Sequence, residues 1–362
     1  MIPRSQLDPP KTHLTKMGKL SSSIASLMSW FMLVFIVMGY LSQGVAFAAD
    51  PVISPLWQNV EGVGLSLQEQ DRVSDITTIR HRFIHVETGL LNTKVQASQN
   101  DKILLNLFDG TSFVATLDRI EKLSRGGIAW IGHLNGIQQS EVILITRSEQ
   151  MAGNIVLPGA FYQVRYAKKG IHVLREIDQS KFPPEAHPIP VEPNKFELPT
   201  TGNESIDKNL VTNADDGSVI DVLVVYTPDA KDIVGGQTAM QNLIDLAITE
   251  SNVGYGNSQV TQRLNLVHTA EVAYDETDFD WDETLSRLKS TTDGYMDNVH
   301  TLRDNHAADE VVLIVKDAAN QNCGLAFTMT TVSHSFESSA FAVARYSCAT
   351  GYYSFAHELG LP

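Results

Sequence analysis

Val219-Ile220-Asp221-Val222-Leu223-Val224-Val225-Tyr226-Thr227-Pro228 is the most telling run of the chain. Its apolar residues are nearly continuous rather than alternating, as in a strand covered on both faces of a mostly parallel sheet. Thr-Pro then gives a capping hydroxyl followed by a residue suited to a first helical turn. The spacing predicts a helix from there to about Ser251, with a break at Gly235-Gly236. Working outward, Arg263–Tyr274, Glu310–Lys316, Cys323–Thr331 and Phe341–Tyr346 read as further strands. Trp281–Lys289 and Asp293–His306 read as helices, and a last helix starts near Thr350 or Gly351. Strands alternating with helices predict an α/β domain over residues 217–362 with a five-stranded mixed sheet.

The half that precedes it has a different grammar. Lys102–Phe108 and Thr111–Leu117 flank Asp109-Gly110, a strong hairpin signal. Ile128–Leu134, Glu141–Thr146, Gly153–Leu157, Phe161–Tyr166 and Gly170–Glu176 follow at short intervals, with glycine-containing turns between them. Such spacing predicts an all-β sandwich or barrel-like domain within residues 49–177. Six of the fourteen prolines then fall between Pro183 and Pro199, and a polar stretch follows to Gly217. Residues 178–216 therefore read as an exposed linker open to proteolytic processing.

The N-terminus gives an address. Arg4, Lys11, Lys16 and Lys19 precede an apolar run from Ile24 to Leu41, and Ala46-Phe47-Ala48 makes a small-x-small site. That order predicts a signal peptide over residues 1–48, a secreted product passing through the periplasm, and no stable membrane anchoring after cleavage. An uncleaved anchor is the alternative, because the run nears spanning length. The remainder holds 23 Lys+Arg against 41 Asp+Glu, which argues against non-specific nucleic-acid binding. The acidity is uneven, with 22 acids and 7 bases over residues 215–362 against 19 and 16 over residues 49–214. This contrast is a further sign of two domains. Cys323 and Cys348 are the only cysteines. In an exported protein such a pair is most simply one disulfide, with two buried free thiols as the alternative.

The chain given closes with Phe355-Ala356-His357-Glu358-Leu359-Gly360-Leu361-Pro362. His-Glu-x-x-His on a helix places two imidazoles on one face for zinc and a carboxylate beside them. Here the His-Glu pair is present, and Leu361 stands at the second imidazole position. The Ile220–Pro228 strand, the Cys323-Gly324-Leu325-Ala326 strand, and Cys348 nine residues before His357 of Ser354–Gly360 occur in a specific order. Together they resemble bacterial secreted reprolysin-like metzincins of the peptidyl-Asp metalloendopeptidase type. Arg80–Phe83, Trp130–Gly132, Leu157–Gly159, Gly170–Ile177 and Phe182–Pro184 resemble that family's propeptide. The resemblance implies a metzincin-like catalytic domain and a propeptide that packs on it. It also implies hydrolysis of protein or peptide substrates with one zinc ion. His357 matches the first zinc ligand and Glu358 the catalytic base. Cys323 and Cys348 match a pair tying the strand before the active-site helix to that helix's start. Gly324–Thr330 matches the edge strand along which a substrate pairs.

The departures from the pattern are Leu361 and a third ligand that would fall at position 367. The expectation is therefore a truncated domain, inactive as given, because a catalytic zinc takes three protein ligands and a water. The competing reading is a non-enzymatic exported remnant whose β domain binds or inhibits a protease. Two further possibilities carry less. His268, His300, His306 and His334 show no ligand spacing. The run Asp275, Glu276, Asp278, Asp280, Asp282 and Glu283 lacks the glycine and terminal glutamate of a calcium loop, and reads as a solvated, helix-capping face.

Overall fold

The first half builds a nine-stranded antiparallel sheet. Its strands are β1 (Trp57–Asn59), β2 (Thr78–Val86), β3 (Lys102–Phe108), β4 (Thr111–Lys122), β5 (Ile128–Leu134), β6 (Glu141–Arg147), β7 (Gln150–Leu157), β8 (Ala160–Lys168) and β9 (Ile171–Ile177), with a short helix α1 (Gly89–Asn92) after β2. The structure, a computed structural model, describes residues 53–66, 69–70, 73, 75–92, 101–192, 219–317, 319 and 321–361. The expected signal peptide and residues 193–216 of the expected linker lie outside the described residues.

Sheet order is β1-β2-β9-β8-β7-β6-β5-β4-β3. The two ends meet, because Pro55 bridges to Leu104 of β3 and the Leu56 N–H donates to the Leu104 carbonyl at 2.9 Å. The sheet thus curls into a barrel. Its inward residues alternate along each strand, as in Ile103, Leu105 and Leu107 of β3, and they surround Trp57 and Trp130 in one core. On β5–β7 the outward positions are apolar too. Ala129, Ile131, Ile143, Ile145 and Ala152 form a second cluster that receives Leu246 from the other half. These strands therefore read as continuous apolar runs although the sheet is antiparallel, since a helix covers their outer face.

The second half contains β10 (Ile189–Val191), β11 (Val219–Tyr226), α2 (Pro228–Val234), α3 (Gln237–Asn257), β12 (Arg263–Glu271), α4 (Trp281–Lys289), α5 (Asn298–Asn305), β13 (Glu310–Val315), β14 (Gly324–Met329), β15 (Phe341–Arg345) and α6 (Ser354–Leu359). Thr227 caps α2 by accepting from the Ala230 N–H, and Gly235, at φ 107°, ends it where the glycine pair predicted a break. The sheet runs β10-β14-β15-β13-β11-β12. Pairing is parallel except between β14 and β15. One face packs on α4 and α5 through Trp281, Leu285 and Val299, the other on α2, α3 and α6 through Met240, Ile244 and Phe355.

The sheet has six strands, which corrects the five expected. The sixth is β10, from the segment assigned to the linker for its prolines. An edge strand tolerates Pro190, whose missing N–H would otherwise face a ladder partner. Residues Gln179–Lys181 likewise form a 3-10 turn capped by Asp178. The linker as drawn therefore begins too early. Its first part, up to Val191, is folded against both halves. From Ile53 onward the described residues form one compact unit.

Helix α3 binds the halves together. It is buried around its circumference from Ala239 to Ser251. Met240, Leu243 and Ala247 face the six-stranded sheet, while Leu246 faces the barrel. The polar residues on the barrel side are paired. Asp245 accepts from Arg147 at 2.6 Å and Arg125 at 2.9 Å, and Asn242 donates to the Gln150 carbonyl at 3.1 Å.

Candidate active site

Helix α6 carries His357 and Glu358, and the fold fixes it at both ends. Cys323, just before β14, is disulfide-bonded to Cys348 in the loop that leads into α6, with Cα atoms 5.4 Å apart. After the helix, the Met329 N–H of β14 donates to the Leu361 carbonyl at 3.0 Å. Strand β14 and the helix are thus stitched together before and after the His-Glu pair. The helix begins at Tyr353, whose φ of 65° turns the chain sharply with no side-chain cap.

That sharp approach is held by its surroundings. Glu250 of α3 is fully buried and accepts the Gly351 N–H on both carboxyl oxygens, at 2.8 and 3.0 Å, and the Asn154 amide at 3.2 Å. Gln179 donates to the Gly351 carbonyl, Arg165 to the Thr350 hydroxyl, and Phe182 stacks on Tyr352 at 4.7 Å. Gly351 has φ 78°, and a Cβ there would overlap the Phe161 ring of the barrel. Glycine is therefore required at this point, both for the backbone conformation and for the close approach.

The two site residues face differently. His357 is exposed, whereas Glu358 is 1% exposed and lies against the Gly324 backbone of β14, so closely that a Cβ on Gly324 would overlap its carboxyl. No N–H or O–H among the described residues reaches either Glu358 oxygen. The group that does face it is Glu185, from the segment between the barrel and β10. Burial, and then this facing carboxyl, push Glu358 well above the usual carboxylate range. Glu185 also accepts from the Ser354 hydroxyl at 2.5 Å.

Glu185 is delivered by strand pairing. The Cys323 N–H donates to the Pro184 carbonyl and the Ala186 N–H to the Gly324 carbonyl, both at 2.9 Å. Ile189, Pro190 and Val191 then pair in parallel with Phe327, Thr328 and Met329. Residues 184–191 thus run along the same edge strand that the sequence marked for a substrate. Sequence reading missed Glu185, Ser354 and Glu250. The one available signal was Pro183-Pro184, which pre-sets extended backbone just before an acid.

The described residues do not make a zinc site. His357 is the one imidazole on α6, Leu361 occupies the position one turn later, and no group of three or more His, Cys, Asp or Glu side chains is gathered to hold a metal. The other histidines are dispersed: His268 stacks on His306 at 4.0 Å, and His300 bonds the Ser290 carbonyl. The acidic run is structural. Asp280 caps α4, and buried Glu276 accepts the Lys316 and Asp317 N–H groups.

The M12B reprolysin-like metallopeptidase family model matches residues 241–360, from within α3 to the end of α6. A peptidyl-Asp metalloendopeptidase of Xanthomonas campestris pv. campestris is 30% identical over 349 residues, which cover 89% of this chain and 78% of that protein. One from Stenotrophomonas maltophilia is 36% identical over 267 residues, covering 69% of this chain and 60% of that protein. The crystal structure of metalloproteinase-II from Bacteroides fragilis aligns with a TM-score of 0.44 at 13% identity, covering 76% of this chain and 83% of that one. The chain thus spans between 60% and 78% of the length of these sequence relatives. By its identity to them, carried across the barrel as well as the α/β half, the chain belongs to the bacterial reprolysin-like metallopeptidases, a family of peptide-bond hydrolases.

Proposed function

We propose that the chain is the precursor of a secreted zinc metalloendopeptidase, with the barrel and residues 178–191 as propeptide and residues 219–361 belonging to the catalytic domain. The observation that carries this is the strap. Residues 184–191 add a strand to β14 and lay Glu185 against Glu358 and Ser354. A substrate bound by strand addition would use the same backbone groups, so strap and substrate exclude each other. In this reading β14 aligns the substrate backbone. Glu358 takes a proton from the attacking water and returns it to the leaving amine. Its raised pKa, from burial and the facing Glu185, suits the latent form, in which it holds a proton. Release of the strap removes the facing carboxyl and lowers the pKa toward that of a general base.

In the family His357 would be the first ligand of the zinc ion, which polarises the peptide carbonyl. With Leu361 at the second imidazole position, the residues present lack a second zinc ligand on α6, and the chain as given is expected to be inactive. The test is casein hydrolysis by the purified chain after cleavage within residues 193–218, with and without chelator and with Glu358→Gln as control. Reading the coding DNA past the Gly360 codon in all frames accompanies it. The expected result is no hydrolysis, and a frame that restores His and an x-x-Gly-x-x-His pattern would support the peptidase reading. Chelator-sensitive hydrolysis abolished by Glu358→Gln would overturn the inactive reading. If no frame restores the ligands, the second reading gains, that of an exported barrel that binds or inhibits a protease. One feature favours that second reading: the barrel has its own closed core and carries the strap.

A further inference from the structure

The seam between the barrel and the α/β half holds a partly open cavity of about 40 Å³. At about 10–15 Å³ per water position this is room for roughly three waters, or for one small inorganic ion. Arg165, Tyr166 and Arg175 line it from the barrel, and Val234, Leu243 and Ser347 from the other side. Its charge is unbalanced. Arg175 is 8% exposed, its Nη2 donates to Gln163 at 2.6 Å, and its Nε–H has no acceptor. Arg165 spends its N–H groups on neutral oxygens, those of Gly153, Val164, Asn154 and Thr350.

Among the described residues no carboxylate comes within 4.0 Å of either guanidinium. Glu250 and Asp75 act on them only from beyond that distance, and both Glu250 oxygens are engaged by Gly351 and Asn154. Burial, followed by the neighbouring Arg175 charge, lowers the Arg165 pKa to about 9. Guanidiniums stay ionised at neutral pH, so two like charges face one cavity, and among the described residues no carboxylate pairs directly with either.

We propose that this cavity is an anion site that takes one small tetrahedral oxyanion, of the size of phosphate or sulfate, between Arg165 and Arg175. The Arg175 fork, with its free Nε–H, gives such an oxyanion a donor already in place, while Arg165, whose Nη N–H groups are engaged, adds its charge. Ser347, on the opposite wall, adds a hydroxyl from the loop that precedes α6. An ion held by both walls ties the barrel to the rest of the molecule, so occupancy strengthens the seam. The proposal does not rest on the peptidase reading, and none of its tests reads activity.

The test is thermal unfolding of the intact chain in phosphate against gluconate at equal ionic strength and pH, with calorimetric titration of phosphate. The expected result is a titration that saturates at one phosphate per chain and a Tm rise of about 3–5 °C at phosphate near 100 times its Kd. In Arg175→Gln the affinity falls at least tenfold. Crystals soaked in selenate locate the ion without any variant, by anomalous density between the two guanidiniums. A phosphate effect no larger than that of gluconate, an unchanged affinity in Arg175→Gln, or selenate density absent from the cavity would each overturn the proposal.

Discussion

Glu250 shows how one residue links the halves to the site. It sits on α3, its carboxyl accepts the Gly351 N–H at the approach to α6, and it also takes the amide of Asn154 from the barrel. Burial pushes its pKa from 4.5 up to about 7. The neighbouring Glu141 adds to this, while the Gly351 N–H, Asn154 and Arg165 oppose it. The sign of the consequence follows from proton counts. Between pH 4.5 and 7 the unfolded chain has lost this proton and the folded chain keeps it, so stability falls as pH rises. The contribution is fully present below 4.5 and gone above about 7. At 1.36 kcal/mol per unit it amounts to roughly 3 kcal/mol. Urea unfolding of the wild type and of Glu250→Gln at pH 4.5, 6 and 7.5 measures it: the variant should lose that part of the slope. Parallel pH profiles for the two proteins would refute the assignment.

Among the elements, β14 and the loop leading to α6 owe their register to Cys323–Cys348. Both cysteines are fully buried, in a cluster with Phe161, Ile177 and Phe182 of the first half. In the chain-entropy model a loop of this length is worth roughly 3–4 kcal/mol. Cys323→Ala with Cys348→Ala should therefore lower unfolding stability by about that much, and a loss under about 1 kcal/mol would show that packing alone holds the register. The sequence announced these elements unevenly. Val219–Tyr226 and Glu310–Val315 were legible because a strand covered on both faces leaves an unbroken apolar run. Asp109-Gly110 was legible because its turn needs a residue at positive φ, and Gly110 has φ 73°. β10 was not, since three residues with a central proline carry no periodicity and their partner lies more than a hundred residues away. His357 and Glu358 were legible as a local pair. Glu185 was hidden because its role comes from a contact made only once the strap has paired with β14.

For the whole molecule, the question is what keeps barrel and α/β half together if the chain between them is cut. The apolar part of the seam, Leu246 against Ala129, Ile131 and Ile143 and the two cysteines against Phe161, Ile177 and Phe182, is smaller than the core of either half. The charged part is specific: Asp245 lies between Arg125 and Arg147, which are 23% and 11% exposed. Removing one partner of a buried pair leaves the other charge uncompensated, at a cost of about 3–5 kcal/mol. Asp245→Arg goes further, setting three cations together. The wild type, cut within residues 193–218, is therefore expected to elute as one complex on size exclusion, and the Asp245→Arg protein as two separate pieces. Adding Arg147→Asp to Asp245→Arg restores an opposite pair and should restore much of the association, which separates loss of the contact from general misfolding. Asp245→Arg pieces that still co-elute would place the strength of the seam in the strap or the apolar clusters, and wild-type pieces that part on their own would show that the halves are held by the chain between them.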